Sequence, residues 1–259
     1  VIKNKEDISA RVAFCFPDTY EIGMSNLGMK ILYNSLNNSE KIWCERCFAP
    51  WPDMGDLMRE KGIKLYALES GDALNEFDFI AFTLQYELSY TNVLYMLALS
   101  GLPFYSKDRT DDMPLIIGGG PCTYNPEPVA DFFDIFSIGE GEESLRELVE
   151  FYIEYKNTHE TFVKQDFLRE ACKIKGTYVP SLYDVTYSEE TGLLTGVTPK
   201  FPEVPSLVEK RVITDFDKVE TPEKVPVPFT EVVHDRIMLE CARGCMRGCR
   251  FCQAGVIYR

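Results

Sequence analysis

The sequence predicts an α/β protein whose main domain is a doubly wound, mostly parallel sheet. Short apolar segments of strand length alternate with amphipathic segments of helix length over residues 8–157. Glycine-rich or polar loops follow the predicted strands, and 259 residues are ample for a buried core. Alternating strands and helices favour right-handed crossovers, which cover both faces of a parallel sheet with helices.

The predicted strands are short segments that are apolar along most of their length. Continuous apolar runs of this kind are typical of strands that are buried on both faces of a sheet. Because they are parallel, the loops that follow them should gather along one edge, where ligands of such sheets bind. The strand segments are residues 10–16, 42–48, 78–84, 114–117 and 134–138.

The predicted helices have apolar residues at helical spacing and recognisable ends. Gly62 and Gly101 are each expected to stop the helix before them. Glu140, Glu142 and Glu143 lie near the start of the last long helix, where negative charge is favoured. The helical segments are residues 24–36, 52–61, 90–100 and 140–155.

The character of the chain changes after residue 157. Residues 162–174 resemble a short helix, and two strand-like segments flank S-E-E-T-G, which indicates a hairpin. A Pro-rich stretch over 199–228 is interpreted as an extended linker. Residues 236–240, R-I-M-L-E, are predicted to be the first strand of a new domain. We therefore expect divisions at 1–157, 158–232 and 233–259.

The net charge of −14 limits the classes of partner. A nucleic-acid binder needs a basic face, so the acidic region 1–235 does not support that function. From Arg236 to the end, five arginines accompany one acidic residue, Glu240. This tail is either a local fluctuation of surface charge or a basic rim around an anionic ligand or a negatively charged cluster.

The first residues lack the apolar core of a signal peptide. No apolar run approaches the roughly 18 residues that a membrane-spanning helix needs. We therefore expect a cytoplasmic protein without membrane contact. In that setting, the nine cysteines are expected to be reduced thiols or metal ligands.

Three of the cysteines have the spacing C-x3-C-x2-C: Cys245, Cys249 and Cys252. Thiolates are the soft ligands of iron–sulfur clusters, and three ligands for four irons leave one iron open to a cofactor or substrate. Cys241 extends the set to four thiols. A zinc site or a ferredoxin-type electron-transfer cluster therefore stays open as an alternative.

The segment C-M-R-G-C-R-F-C resembles the signature loop of radical S-adenosylmethionine (SAM) enzymes. The resemblance implies that these three cysteines bind a [4Fe–4S] cluster whose open iron chelates SAM, with Phe251 near the adenine. It also implies a reductant such as flavodoxin or ferredoxin and a substrate that the sequence does not identify. No side chain is assigned a catalytic role.

A second resemblance concerns the loops after the predicted strands. Their layout is similar to that of the Rossmann-like, cobalamin-binding domain found ahead of many radical SAM barrels. Tyr20 stands where the pattern D-x-H-x-x-G has the histidine that binds cobalt, so either cobalamin binds without a protein ligand or the fold persists without it. The implied cobalamin-site residues are Asp18, Tyr20, Gly23, Gly118, Gly119, Gly120, Glu140 and Gly141.

Longer stretches, including F-P-D-T-Y-E-I-G-M-S, G-G-G-P-C-T-Y-N-P-E-P and R-F-C-Q-A-G-V-I-Y-R, resemble the bacterial family of B12-binding-domain-containing radical SAM proteins. That family continues into the rest of the SAM barrel, so we expect these 259 residues not to turn over by themselves. The resemblance implies radical chemistry and, with cobalamin, methyl transfer to an unknown substrate. RNA modification is a further hypothesis, and a non-catalytic α/β module with cysteine-bound zinc is the alternative.

The remaining candidate residues indicate a functional role less strongly than the cysteine motif does. Cys44 and Cys47 form C-x-x-C within a predicted strand and are expected to be buried thiols. His159 is expected to face solvent, and His234 to have a structural role near the cysteine loop. Four residues after a strand are candidates for a cofactor face or for half-buried packing: Tyr86, Glu87, Tyr90 and Asn92.

Overall fold

A computed structural model describes residues 1–222 and 224–258; Glu223, within the predicted linker, and Arg259 lie outside the described residues. Its core is a six-stranded sheet in which five strands are parallel and the last is antiparallel. The mostly parallel α/β sheet predicted from the sequence is confirmed. The strands are β1 (Ala10–Phe16), β2 (Ile42–Phe48), β3 (Phe79–Thr83), β4 (Leu115–Gly119), β5 (Ile135–Ser137) and β6 (Thr177–Tyr178), in the spatial order β2-β1-β3-β4-β5-β6.

Helices connect most of these strands. None of the helices in the described ranges combines the length and the apolar character needed to cross a membrane. The helices are α1 (Tyr20–Gly23), α2 (Leu27–Asn37), α3 (Pro52–Lys61), α4 (Tyr90–Ser100), α5 (Gly141–Thr158), α6 (Lys164–Ala171) and α7 (Ala254–Ile257).

The strand order determines which helices share a face. The chain moves from β1 outward to β2 and then returns past β1 to β3 and β4. Right-handed crossovers in opposite directions put α2 on one face and α3 and α4 on the other. α5 packs against α2 and shares its face, whereas α3 packs against α4. The reversal leaves a crevice beyond the carboxyl ends of β1 and β3, where sheets of this kind bind ligands.

Several predicted boundaries match the structure because their end signals are local. α3 and α4 end before Gly62 and Gly101, whose φ angles of 66° and 69° are left-handed. α2 starts at Leu27 and not at residue 24, because the Asn26 side chain caps it by accepting a hydrogen bond from the Met29 amide at 2.9 Å. The preceding residues form the separate turn α1.

Strand β4 continues through Gly118 and Gly119, although the strand predicted from the sequence ended at residue 117. A Cβ atom on Gly118 would lie 2.7 Å from the Phe136 ring of the neighbouring strand. Glycine is therefore required here so that an aromatic side chain of β5 can cross β4, and the strand is preserved.

The region after α6 differs in part from its prediction. The first arm of the predicted hairpin is divided by Pro180: β6 pairs with β5, and β7 (Tyr183–Tyr187) pairs with β8 (Leu194–Pro199). In the described part of 199–228 the chain forms one short 3-10 turn, Phe216–Lys218, and one bridge between Arg211 and Gly139.

The predicted strand at 236–240 is wrong: these residues form no strand. A strand needs a neighbour to pair its backbone groups, and within the described residues none lies beside this segment. Its apolar side chains are correspondingly open, with Ile237 90% and Leu239 70% exposed.

A buried ion cluster joins the far edge of the sheet to α6. Asp134, just before β5, lies 3.0 Å from the Arg109 guanidinium and 2.8 Å from the Lys164 ammonium. Asp134 also accepts a hydrogen bond from the Ile116 amide of β4 at 2.7 Å. The carboxylate thus compensates two buried cations and aligns β4 with β5.

Replacing Asp134 by Asn should lower the free energy of unfolding by about 3–5 kcal/mol, because two buried cations lose their counter-charge. Urea denaturation followed by far-UV circular dichroism measures the change. The matched control is Asp131→Asn, at an exposed carboxylate three residues away, which should change stability by less than about 0.5 kcal/mol. Equal effects in the two variants would contradict this role of Asp134.

Candidate functional site

A cavity of about 400 Å³ lies at the carboxyl edge of the sheet. Its apolar part includes Phe14 of β1, Phe82 of β3 and Ile117 of β4. The first residues of α2 and α5 form its sides, and residues of the cysteine-bearing tail cover it. The cavity therefore occupies the crevice that the strand order creates, and it has the volume of a small-molecule site.

Four of the predicted cofactor residues border this cavity: Gly119, Gly120, Glu140 and Gly141. Gly120 has a φ of 93°, and a Cβ there would lie 2.8 Å from the Leu84 carbonyl oxygen. The two strand-end loops thus approach each other as closely as only glycine permits. Gly118 is instead covered by Phe136 and serves the packing described above.

The other predicted residues of this set lie apart from the cavity. Asp18 borders a separate hollow of about 750 Å³, together with Asn92. The Tyr86 hydroxyl donates a short hydrogen bond to the Asp18 carboxylate, which raises the pKa of Tyr86. Asn92 donates to the Pro17 carbonyl at 2.9 Å. These contacts hold the loop after β1 against the loop after β3.

Tyr20 and Gly23 are occupied by packing. The Tyr20 ring lies edge-on to Phe48 at 5.2 Å and beside Phe229 of the linker at 6.5 Å. Its hydroxyl accepts a hydrogen bond from the Phe229 amide at 2.9 Å. A Cβ on Gly23 would lie 2.3 Å from the Phe48 ring. The segment predicted to face cobalt therefore contacts the chain's own linker.

The linker is attached to the sheet beside α5. The Arg211 amide donates to the Ile138 carbonyl at 2.8 Å, and the Glu140 amide donates to the Arg211 carbonyl at 3.0 Å. The Arg211 side chain pairs with Glu143 at 2.9 Å and with Glu147 at 3.1 Å. Arg211 thus continues the edge of the sheet by one residue and holds two carboxylates of α5.

Arg243 makes the equivalent attachment for the cysteine-bearing tail. It donates two hydrogen bonds to Glu240, at 2.9 and 2.8 Å, lies 3.3 Å from Glu140 and makes a short hydrogen bond to Glu142. The hydrogen bonding to Glu240, joined by the Glu142 carboxylate, raises the pKa of the Arg243 guanidinium. Its charge is compensated, so Arg243 is not free to form the basic rim predicted for the tail.

Of the other four arginines of that tail, three lie within the described residues. Arg236, Arg247 and Arg250 are exposed. The fifth arginine counted from the sequence, Arg259, lies outside the described residues. A small basic surface therefore lies around the cysteine loop, without Arg243.

The three motif cysteines lie on the surface as free thiols. Cys249 is exposed, Cys245 and Cys252 are partly buried, and the Cys252 amide donates to the Cys249 carbonyl at 3.1 Å. Among residues 1–222 and 224–258, no three His, Cys, Asp or Glu side chains are arranged to hold a metal ion. The donor set suits an iron–sulfur cluster, since three uncommitted thiols share one loop, but the thiols are not drawn together. Phe251, predicted to lie near adenine, is 92% exposed.

The other sulfur and imidazole candidates do not join this loop. Cys44 and Cys47 are buried in β2, as predicted, and burial raises the pKa of the Cys44 thiol. His159 is exposed, as predicted, and stacks on Tyr155 at 3.9 Å. The His234 amide donates to the Ser25 hydroxyl at 3.0 Å.

The pairing of Arg211 and Arg243 with the glutamates of α5 was not predicted from the sequence. The available signal was charge: four glutamates near the start of one helix exceed what a helix N-terminus requires, so cations from elsewhere were to be expected. Which arginines would supply them depended on the path of a linker that lacks periodicity.

A family model described as radical SAM proteins, N-terminal, matches residues 28–180. An uncharacterized protein of Methanocaldococcus jannaschii is 26% identical over 252 residues, which are 95% of this chain and 41% of that protein. The chain thus spans about two fifths of the length of this curated relative.

Among solved structures, the radical S-adenosylmethionine methyltransferase TsrM from Kitasatospora setae superposes with a TM-score of 0.40 and 14% identity. The superposition covers 75% of this chain and 31% of that one. That structure holds a tryptophan substrate and the SAM analogue aza-SAM.

The attachment of the linker depends on Gly139, which has a φ of 107° and whose Cβ would lie 2.1 Å from the Arg211 carbonyl oxygen. Gly139→Ala should release the linker at a cost of about 1–3 kcal/mol. Trypsin should then cut after Lys210 and Arg211 about tenfold faster, since tenfold corresponds to about 1.4 kcal/mol. Mass spectrometry of the fragments measures the rate.

The control is Gly192→Ala, in the hairpin turn, where φ is 68° but no atom lies within 4 Å of the added Cβ. Both variants place a Cβ at a positive φ, but only the Cβ at position 139 meets the Arg211 backbone. The same cleavage rate in both variants would show that Gly139 does not hold the linker.

Proposed function

This chain belongs to the radical SAM proteins, by the family model of their N-terminal region, and from that premise we propose that its cysteine loop binds a [4Fe–4S] cluster and SAM. Cys245, Cys249 and Cys252 would ligate three irons and leave the fourth for SAM. The supporting observation is the chemistry of the donor set: three free thiols within eight residues of one surface loop. When bound, the cluster would supply the electron that cleaves SAM into methionine and a 5′-deoxyadenosyl radical.

In this proposal, the chain's own residues bind and orient the cluster and SAM. The thiols hold the cluster, and the exposed ring of Phe251 is available to contact the adenine of SAM. The exposed Arg250, next to Cys249, would offset part of the negative charge that three thiolates bring to the loop. A reductant of the flavodoxin or ferredoxin type would supply the electron.

We further propose that the cavity at the carboxyl edge receives a cofactor, and that a corrinoid is the first candidate. Gly119, Gly120 and Gly141 let a ligand approach the backbone there, and Phe14 and Phe82 offer an apolar contact surface. A volume of about 400 Å³ is at the lower end of small-molecule pockets. A complete corrinoid exceeds it, so only part of that molecule would enter the cavity.

The activity of the whole protein is likewise a proposal, because this chain spans 41% of the length of its curated relative. With a corrinoid bound, the reaction class we propose is methyl transfer to an unidentified substrate. A Rossmann-like N-terminal domain would then carry the corrinoid at the sheet edge, close to the segment that carries the cluster.

Anaerobic reconstitution of the full-length protein with iron and sulfide tests the cluster assignment. The wild type should take up about four irons and turn brown. Alanine at position 245, 249 or 252 should abolish most of this uptake, whereas Cys241→Ala is the matched control and should retain it. Dithionite and SAM should then yield 5′-deoxyadenosine. Zinc at about one per chain with no chromophore would contradict the proposal and favour a structural zinc site.

Cobalamin added to the same protein should bind without a nitrogen ligand from the chain, because Tyr20 occupies the histidine position and a phenol is a poor ligand for cobalt. Electron paramagnetic resonance of the Co(II) form measures this through nitrogen hyperfine splitting. Tyr20→Phe should leave the spectrum unchanged. A splitting assigned to a protein nitrogen would refute the prediction.

A further inference from the structure

The segment that carries the motif cysteines is held by contacts at both ends and is exposed to solvent between them. At its start, Arg243 pairs with the first turn of α5. At its end, Ile257 is 3% exposed, and its carbonyl accepts a hydrogen bond from Lys210 at 3.0 Å. Between these points Met246 is 95% exposed. We propose that Arg243 is a positioning residue that seats the cysteine loop on the acidic start of α5, at the mouth of the cavity.

The contacts of Arg243 are tertiary and partly shielded from solvent. Glu140 and Glu142 come from a helix about one hundred residues upstream, and Glu240 comes from the approach to the loop. The Arg243 side chain is 18% exposed, and Glu142 is 15% exposed. A planar guanidinium that meets three carboxylates in this setting holds its position far better than an exposed single ion pair does.

The neighbouring arginines do not share this role. Arg247 and Arg250 are exposed and make no ion pair with any of the described residues. Along the sequence they lie as near to the motif cysteines as Arg243 does, and they carry the same charge. A seating function therefore distinguishes Arg243 from two chemically identical side chains of the same loop.

The same ion network is also a wall of the cavity. Glu140, Glu142, Glu240 and Arg243 all border it, as does Gly244, the residue before Cys245. Gly244 has a φ of 86°, and its Cβ position lies 2.5 Å from the Tyr258 carbonyl oxygen, so the chain turns sharply there. Arg243, just before the turn, borders the cavity, and the three motif cysteines after it do not.

The seating is tested on the cluster-free, full-length protein by the rate at which iodoacetamide alkylates each cysteine, read by mass spectrometry. Arg243→Met should raise the rate at the partly buried Cys245 about tenfold, which corresponds to about 1.4 kcal/mol. The exposed Cys249 should react at its former rate. Arg247→Met is the matched control and should leave both rates unchanged. Arg243→Lys, which keeps a cation among the three carboxylates but loses the planar set of donors, should restore only part of the protection.

A change on the other side of the interface keeps the test independent of the loop's own stability. Glu142→Gln should raise the alkylation rate at Cys245 as Arg243→Met does, whereas Glu150→Gln, on the same helix but paired with Arg146, should not. The proposal is overturned if Arg243→Met matches Arg247→Met, or if Glu142→Gln leaves Cys245 protected.

The seating of the loop by Arg243 does not depend on the proposed cluster, but its effect on the cluster rests on that proposed function. In reconstituted protein, Arg243→Met should alter the electron paramagnetic resonance spectrum of the reduced cluster, and Arg247→Met should not; an unaltered spectrum in Arg243→Met would overturn the positioning role. If the wild type takes up no iron, the proposed function fails, while the alkylation rates still decide whether Arg243 seats the loop.

Discussion

The ion pairs made by the glutamates at the start of α5 are the interactions on which the site depends. These glutamates hold Arg211 of the linker and Arg243 of the cysteine segment. Both arginines belong to stretches with almost no regular structure. Such stretches have few backbone partners of their own, so their path over the protein is determined by side-chain ion pairs and by isolated hydrogen bonds. One helix terminus thus holds two points of the chain that follows the hairpin.

This arrangement explains why the cavity has two kinds of wall. The apolar wall belongs to the sheet, because parallel strands present buried side chains up to their carboxyl ends. The charged wall belongs to the tail and to α5, where carboxylates and one guanidinium compensate each other. The cavity is closed partly by a segment from a distant part of the sequence, the same segment that carries the cysteine loop.

The residues implied by family resemblance separate into two groups in the structure. Gly119, Gly120 and Glu140 border the cavity, and their positions follow from strand ends that the sequence marks clearly. Gly118 and Tyr20 make packing contacts instead, with Phe136 and Phe229. The sequence does not distinguish these cases, because a glycine needed for a ligand and one needed for an aromatic neighbour look alike until the neighbour is known.

The sequence by itself determined the five parallel strands, most helix ends, the mostly parallel sheet and the spacing of the cysteine loop. These depend on local patterns: apolar runs, terminal glycines such as Gly62 and Gly101, and fixed cysteine spacing. Tertiary structure alone decided that residues 236–240 form no strand and that Arg243 pairs with α5. The reason is physical: a strand requires a partner and an ion pair requires an opposite charge, and both partners are supplied by distant parts of the chain whose approach no local pattern encodes.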